Sequence, residues 1–391
     1  MITVKGSVTL KRGKDQSIKR FHPWVFSGAI HSSTAAEEGQ WVRVEDAGGK
    51  TLGFGHYHQG TIAVRILHFS DTPPTTDFWR GKLVAARSLR HSSSIPANDI
   101  NAYRLIHGEA DGLSGLIVDV YNGVAVIQAH TLGMFNDREA VTQAIKDVLG
   151  QSISAVYFKS PPSHQQKSGD GYLYGMSAIP HIITEYGNKF NVDWETGQKT
   201  GFFLDQRENR KLLCNYSFGK LVLNTFCYTG GFSIYALQAG AALVHSVDAS
   251  EKAIVLTREN ISLNGFSPEK HPAYCIDTFE FLKDKKDVYD VIVLDPPAFA
   301  KHKSAKHQAM KGYQRLNAEA FRVINSGGIV FTFSCSQVVD RQLFYDTIVS
   351  AAIQSGREIK VLHHMAQPPD HPVSIYHPEG EYLKGLVLYV H

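Results

Sequence analysis

Two segments, Leu294-Asp295-Pro296-Pro297-Ala298-Phe299 and Thr332-Phe333-Ser334-Cys335-Ser336, each close an apolar run that reads as a β-strand, which puts a carboxylate and a thiol at strand tips. Each proline fixes its own φ, and the first also restricts Asp295, so the element mounts a polar group rigidly against a flat, nitrogen-bearing ring. A thiol at the neighbouring tip can add to such a ring as a nucleophile. A cysteine at a strand end is more often a small buried hydrophobe. What singles out Cys335 is its place opposite Asp295, together with a following helix whose N-terminus would favour the thiolate. Phe299 offers a face for an extruded base, flanked by Pro296 and Pro297. Cys214, Cys227 and Cys275 are explained by packing.

Tips can be neighbours only if one sheet supplies them. From Leu221 onward, apolar segments alternate regularly with helical stretches: Leu221–Phe226, Leu243–Val247, Ala273–Ile276, Val288–Leu294, Gly328–Phe333 and finally Leu386–Val390. That grammar predicts an α/β, doubly wound Rossmann-like sheet, its last strand antiparallel, with ligands beyond the carboxyl ends of the strands.

The first of those ends carries Asn224-Thr225-Phe226-Cys227-Tyr228-Thr229-Gly230-Gly231. Gly230 and Gly231 let backbone approach a ligand closely, and the next helix brings free N–H groups. Asp248, followed by Ala249, closes the second strand roughly 20 residues on, where a carboxylate can accept ribose hydroxyls. Asp277 and Thr278 close the third, with Asp277 able to take an adenine amino group. Upstream, Asp205-Gln206-Arg207 precedes a helix that Asp205 could cap, while Gln206 or Arg207 turns toward a carboxylate. The turn resembles the S-adenosylmethionine-binding half of class I methyltransferases. Aromatic Phe226 and Tyr228 stand where that superfamily usually has glycines, which speaks against a nicotinamide cofactor, whose pyrophosphate needs the tight glycine pattern.

Before this α/β half, residues 1–72 alternate in short β segments (Val4–Leu10, Trp41–Glu45, Leu52–Tyr57, Thr61–Leu67) as a small barrel or sandwich. Arg20-Phe21-His22-Pro23-Trp24-Val25-Phe26-Ser27-Gly28 and Leu52-Gly53-Phe54-Gly55-His56-Tyr57 resemble the PUA domain, a β-barrel module of RNA-modifying enzymes. The break Asp71-Thr72-Pro73-Pro74-Thr75-Thr76 opens a central α+β segment, residues 73–190. It holds a helix over Asp77–Ser92, a hairpin turning at Tyr121-Asn122-Gly123, a helix over Asp137–Leu149, a strand over Ala155–Lys159 and a hairpin turning at Gly187-Asn188. Residues 191–391 complete the chain. Tyr103 to Gly112 reads as a turn-rich surface, with Arg104 a candidate RNA contact.

The net charge of +3 says little alone, but Lys5, Lys11, Arg12, Lys14, Lys19 and Arg20 face only Asp15, and Lys301, His302, Lys303, Lys306 and His307 follow the prolines. Either cluster could meet phosphates. Hydrophobic content of 43% and charged content of 20% are those of an ordinary soluble globular protein. Cysteines without a CxxC pair, a start without a secretory leader, and apolar runs short of about 20 residues point to the cytoplasm and away from disulfides and membranes. The histidines show no metal-ligand spacing, so no metal is expected.

Taken together, the Arg-x-x-Pro-Trp-Val-Phe opening, Leu204-Asp205-Gln206-Arg207, Phe226 to Gly231, Asp295-Pro296-Pro297, Phe333-Ser334-Cys335-Ser336, Asp370-His371-Pro372-Val373 and Pro378 to Gly385 resemble, nearly end to end, the PUA-domain class I methyltransferases that form 5-methylcytosine in bacterial large-subunit (23S) ribosomal RNA. The resemblance implies S-adenosylmethionine as methyl donor and attack by Cys335. Carbon 5 of a pyrimidine is a poor nucleophile until a thiolate adds at carbon 6; Asp295 would then hold the N3 and N4 edge. Many RNA cytosine-5 methyltransferases carry a second cysteine where this chain has Ala298, so the base that removes the carbon 5 proton is left unassigned. N-methylation of a guanine without a thiol, and an RNA-binding protein that has lost catalysis, stay open as alternatives. So do a homodimer and the state of the RNA, naked or in an assembling subunit.

Overall fold

The computed structural model describes residues 2–34, 37–160, 169–283, 285–300 and 302–391. Its contacts divide the chain into two compact units: residues 1–183, 192–202 and 369–380, and residues 184–191, 203–368 and 381–391.

The first unit holds two sheets. One has six strands in the spatial order Trp24–Phe26, Ile62–His68, Thr51–Tyr57, Trp41–Glu45, Gly6–Leu10, Ile30–Ser33. Val8, Leu10, Val25, Val42, Val44, Val64 and Ile66 form its core. The other has five strands in the order Gly171–Tyr174, Ala155–Phe158, Val124–Ala129, Leu116–Tyr121, Ala102–His107, accompanied by helices Phe78–Ser92 and Arg138–Leu149. Asn122 and Gly123 both have positive φ (43° and 85°), the backbone that a two-residue hairpin needs. The second hairpin turns at Tyr186-Gly187, one residue earlier than the sequence suggests, with φ of 48° and 78°. Ala102–His107 corrects the expected turn-rich surface: Tyr103, Leu105 and Ile106 are buried in a strand.

The second unit is a seven-stranded sheet. In chain order its strands are β1 Leu221–Thr225, β2 Leu243–Asp248, β3 Ala273–Cys275, β4 Tyr289–Leu294, β5 Ile324–Ser334, β6 Ile359–Met365 and β7 Lys384–Val390. In space they run β3-β2-β1-β4-β5-β7-β6. The first five are parallel, and β7 is antiparallel to both its neighbours, as expected of the last strand. The central strands are buried without alternation, Val291 to Leu294 and Val330 to Phe333, the pattern of strands covered on both faces. The unit's helices are α1 Arg207–Leu213, α2 Gly231–Gln238, α3 Glu251–Leu263, α4 Thr278–Leu282, α5 Lys306–Val323 and α6 Arg341–Ser355. Edge strand β6 went unread in the sequence: four of its seven residues are exposed, so Ile-Lys-Val-Leu-His-His-Met carries no buried run. Among the described residues, no helix is long and apolar enough to cross a membrane.

Candidate active site

Register builds the site. Val247, Thr225, Leu294 and Thr332 lie side by side across β2, β1, β4 and β5, so the residues that follow them leave the sheet along one edge. Asp248 ends β2, Phe226 opens the turn after β1, Asp295 follows β4, and Cys335 follows Ser334 at the end of β5. Antiparallel β7 starts at the same edge, with Lys384 opposite Ser334.

The turn after β1 is strongly bent. Phe226 and Tyr228 hold positive φ (53° and 48°) although neither is glycine, a cost that recurs at functional sites. The Tyr228 N–H donates to Asp248 Oδ2 (3.0 Å), while Asp248 Oδ1 accepts the Ser250 N–H (2.9 Å). Gly230 lies at φ +76°, where a Cβ would come within 2.9 Å of Thr257 Cγ2. Thr229 is buried, with its carbonyl accepting Asn260 Nδ2–H (2.9 Å). Asn224 is 1% exposed and donates to Ser233 Oγ (2.8 Å), while its Oδ1 lacks a partner among the described residues. Cys227 is buried and its thiol is pushed up to about 12 by desolvation, which makes it inert, as expected of a packing residue. Ala249 is exposed beside Asp248. Asp277 is exposed, and its Oδ1 caps α4 by accepting the N–H groups of Phe279 and Glu280 (2.9 and 3.2 Å); Thr278 is buried behind it.

Asp205-Gln206-Arg207 departs from its expected roles. Asp205 makes no helix cap; its Oδ2 accepts the Tyr382 hydroxyl (2.7 Å). Arg207 is wholly buried with its Nε 3.4 Å from Glu185, a charge that also takes both Nε and Nη2 of Arg210 at 2.8 Å. Gln206 turns toward the strand tips: its Nε2–H donates to Asp295 Oδ1 (3.0 Å), and Asn209 Nδ2–H donates to its carbonyl (2.6 Å).

Asp295 is half-buried, Pro296 buried and Pro297 exposed. The Ser336 hydroxyl donates to Ala300 O (2.8 Å), which ties the Cys335 turn to the Asp-Pro-Pro loop. Phe299 packs on Tyr313 of α5 (centroids 4.7 Å apart), so part of the ring proposed for a base is committed to protein. Tyr313 is fully buried, its hydroxyl pushed up to about 12 by desolvation within reach of the Cys335 and Asp295 charges. Cys335 itself is partly exposed. The helix expected to begin beside it starts only at Arg341, and the Asp340 side chain caps it by accepting the Leu343 N–H (2.9 Å). Lys384 supplies positive charge there instead, bonded to Ser336 O; in the sequence it stood only within the Pro378–Gly385 match, with no role of its own.

Of the outlying contacts, Lys301 and the side chain of Lys303 lie outside the described residues, and Arg20 is exposed. Arg104 is largely inside the first unit, its guanidinium paired to both oxygens of Asp119 (2.8 and 2.9 Å) and facing His107. Folding also gathers His22, His377 and Glu379, whose ligand atoms lie within 4.8 Å of one another although no spacing announced it. His22 Nδ1 accepts the Trp24 N–H (3.2 Å), and its Nε2 faces the Glu379 carboxylate at 3.6 Å.

Residues 8–69 match a PUA-like domain, and residues 150–383 match the S-adenosylmethionine-dependent methyltransferase family. The chain belongs to that methyltransferase family. Among curated proteins it is similar to ribosomal RNA large subunit methyltransferase I of Shewanella denitrificans, 38% identical over 97% of this chain and 98% of the relative. Among solved structures it shares the fold of a chain from Streptococcus mutans described as a SAM-dependent methyltransferase (TM-score 0.84, 21% identity, all of both chains covered). It shares it also with SMU.776, solved with S-adenosylhomocysteine (TM-score 0.85, 22% identity, all of both chains covered). S-adenosylmethionine is therefore the cofactor of this methyltransferase, and the turn suits it: backbone curved by Phe226 and Tyr228, no side chain at Gly230, and on Asp248 a lone pair left on each oxygen.

Proposed function

We propose that this methyltransferase forms 5-methylcytosine in large-subunit ribosomal RNA, with Cys335 as nucleophile and Asp295 holding the base edge. The observation that carries the reading is the joining of the Asp295 and Cys335 loops at one sheet edge through the Ser336–Ala300 hydrogen bond, with Gln206 fixing the carboxylate. The relatives' shared name, ribosomal RNA large subunit methyltransferase I, supplies the RNA class.

S-adenosylmethionine brings an electrophilic methyl group. The Cys335 thiolate adds to carbon 6 of the cytosine, which makes carbon 5 enamine-like and able to take the methyl. Asp295 accepts the N4–H and shares a proton with N3, and that proton neutralises the negative charge that addition creates there. Loss of the carbon 5 proton to a base then expels the thiolate and restores the ring. Phe226, Tyr228, Thr229, Gly230, Asp248, Ala249, Asp277, Thr278 and Asn224 line the cofactor side, with Asp205, Gln206 and Arg207 as its border.

Residues 1–72 serve as the RNA-gripping module, with exposed Arg20 among its contacts, 73–190 as the central segment and 191–391 as the catalytic part. Pro296, Pro297 and the free face of Phe299 meet the base, and Lys301 and Lys303 its phosphates. Arg104 drops out of the RNA set because Asp119 occupies it. Nucleoside mass spectrometry of ribosomal RNA from cells with and without the gene tests the reading. Loss of 5-methylcytidine is expected; loss of a methylated guanosine instead replaces it with the N-methylation alternative.

A further inference from the structure

Lys384 is 3% exposed, yet both of its hydrogen bonds go to neutral main-chain carbonyls, Ser336 O and Tyr382 O, each 2.7 Å from Nζ. A buried ammonium is costly unless an anion repays it. The register of β7 fixes where this one lies: Lys384 pairs with Ser334, and Ser336 O is the carbonyl just beyond Cys335, so the charge is pinned against the turn that carries the thiol. Burial lowers the lysine from 10.5 to about 8, and the Cys335 charge is the largest influence opposing that shift, ahead of Glu381 and Asp340, while Arg341 adds to it. Buried Tyr313 feels the charges of both Cys335 and half-buried Asp295, so the other groups near the thiol are an acid and a phenol. The cation is thus the group in this set that favours a thiolate, in a turn that has no helix N-terminus to do so.

We infer that Lys384 is the positioning residue of the Cys335 thiol, clamping its turn through Ser336 O and holding the sulfur as a thiolate beside an ammonium. The inference rests on the reading of Cys335 as nucleophile. In the step concerned, the thiol proton leaves to solvent and the electron pair stays on sulfur.

Iodoacetamide alkylation of the full-length protein, followed peptide by peptide, tests it without RNA. Lys384→Met removes both clamp and charge; Lys384→Gln keeps an N–H donor for Ser336 O and removes only the charge. In both, Cys335 is expected to react about tenfold more slowly at pH 7, with the gap closing near pH 10 where the thiol ionises unaided. Exposed Cys275 serves as the internal control and should keep its rate, and retained S-adenosylmethionine binding by calorimetry shows that the variants fold. A wild-type Cys335 rate in folded Lys384→Gln overturns the inference. Because no methyl transfer is read, that result leaves the cytosine reading standing, and failure of the cytosine reading leaves the alkylation result standing.

Discussion

Gln206 Nε2 lies 3.0 Å from Asp295 Oδ1, joining two segments 89 residues apart in the chain. Asn209 holds the Gln206 amide from behind (2.6 Å), so the carboxylate meets a donor of fixed orientation. Removing a hydrogen bond to a charged group costs roughly 1.5–3 kcal/mol, or about 10–100-fold in rate where it acts on the transition state. Gln206→Leu should therefore lower kcat for methyl transfer by that factor, as read from single-turnover assays. An unchanged kcat would make the bond structural only.

Glu185 is a fully buried carboxylate that holds Arg207 and Arg210 and accepts the Tyr235 hydroxyl (3.0 Å). Glu185→Gln removes the negative charge shared by two buried guanidinium groups, and breaking such a set costs roughly 3–5 kcal/mol. Urea unfolding of the variant should show a lower midpoint with an unchanged slope.

Alanine at 230 would sit at φ +76° with its Cβ 2.9 Å from Thr257 Cγ2. The left-handed backbone alone costs roughly 1–2 kcal/mol. Relief by shifting the turn should weaken S-adenosylmethionine binding by about tenfold in calorimetry, while leaving the fold intact.

His271 is buried against Ser246 Oγ (2.7 Å), and desolvation lowers it from 6.5 to about 4. The folded imidazole thus resists the proton that the unfolded chain accepts. Its contribution to stability is full above pH 6.5 and is lost as pH falls through 4, up to about 3 kcal/mol. Stability measured from pH 7 to 4 should decline less steeply in His271→Gln than in the parent.

Much of this was legible because parallel strands buried on both faces read as uninterrupted apolar runs, and ligand residues cluster at their ends. Asp295, Cys335, Asp248 and the Phe226–Gly231 turn were placed at strand ends that way, and the structure has them there. Hydrogen-bond partners were not. Asp205 looked like a helix cap until Tyr382, 177 residues away, took its oxygen, and Arg207 looked like a ligand for an anion until a hairpin carboxylate, Glu185, buried it. Arg104 looked exposed because glycines and acids followed it, yet those acids lie among an inward network: Asp111 binds Arg90 and the His107 N–H. Local composition places a polar residue near a site; only the pairing of distant segments decides what it touches.

RNA substituted with 5-fluorocytidine tests the central claim most directly, since fluorine on carbon 5 cannot leave as the proton does and the thiol adduct cannot collapse. Purified protein with S-adenosylmethionine should form a denaturation-resistant complex with such RNA, and peptide mapping should place the crosslink on Cys335. Cys335→Ala should bind the cofactor and form no complex. A crosslink on another residue, or normal methyl transfer by Cys335→Ala, would contradict the account.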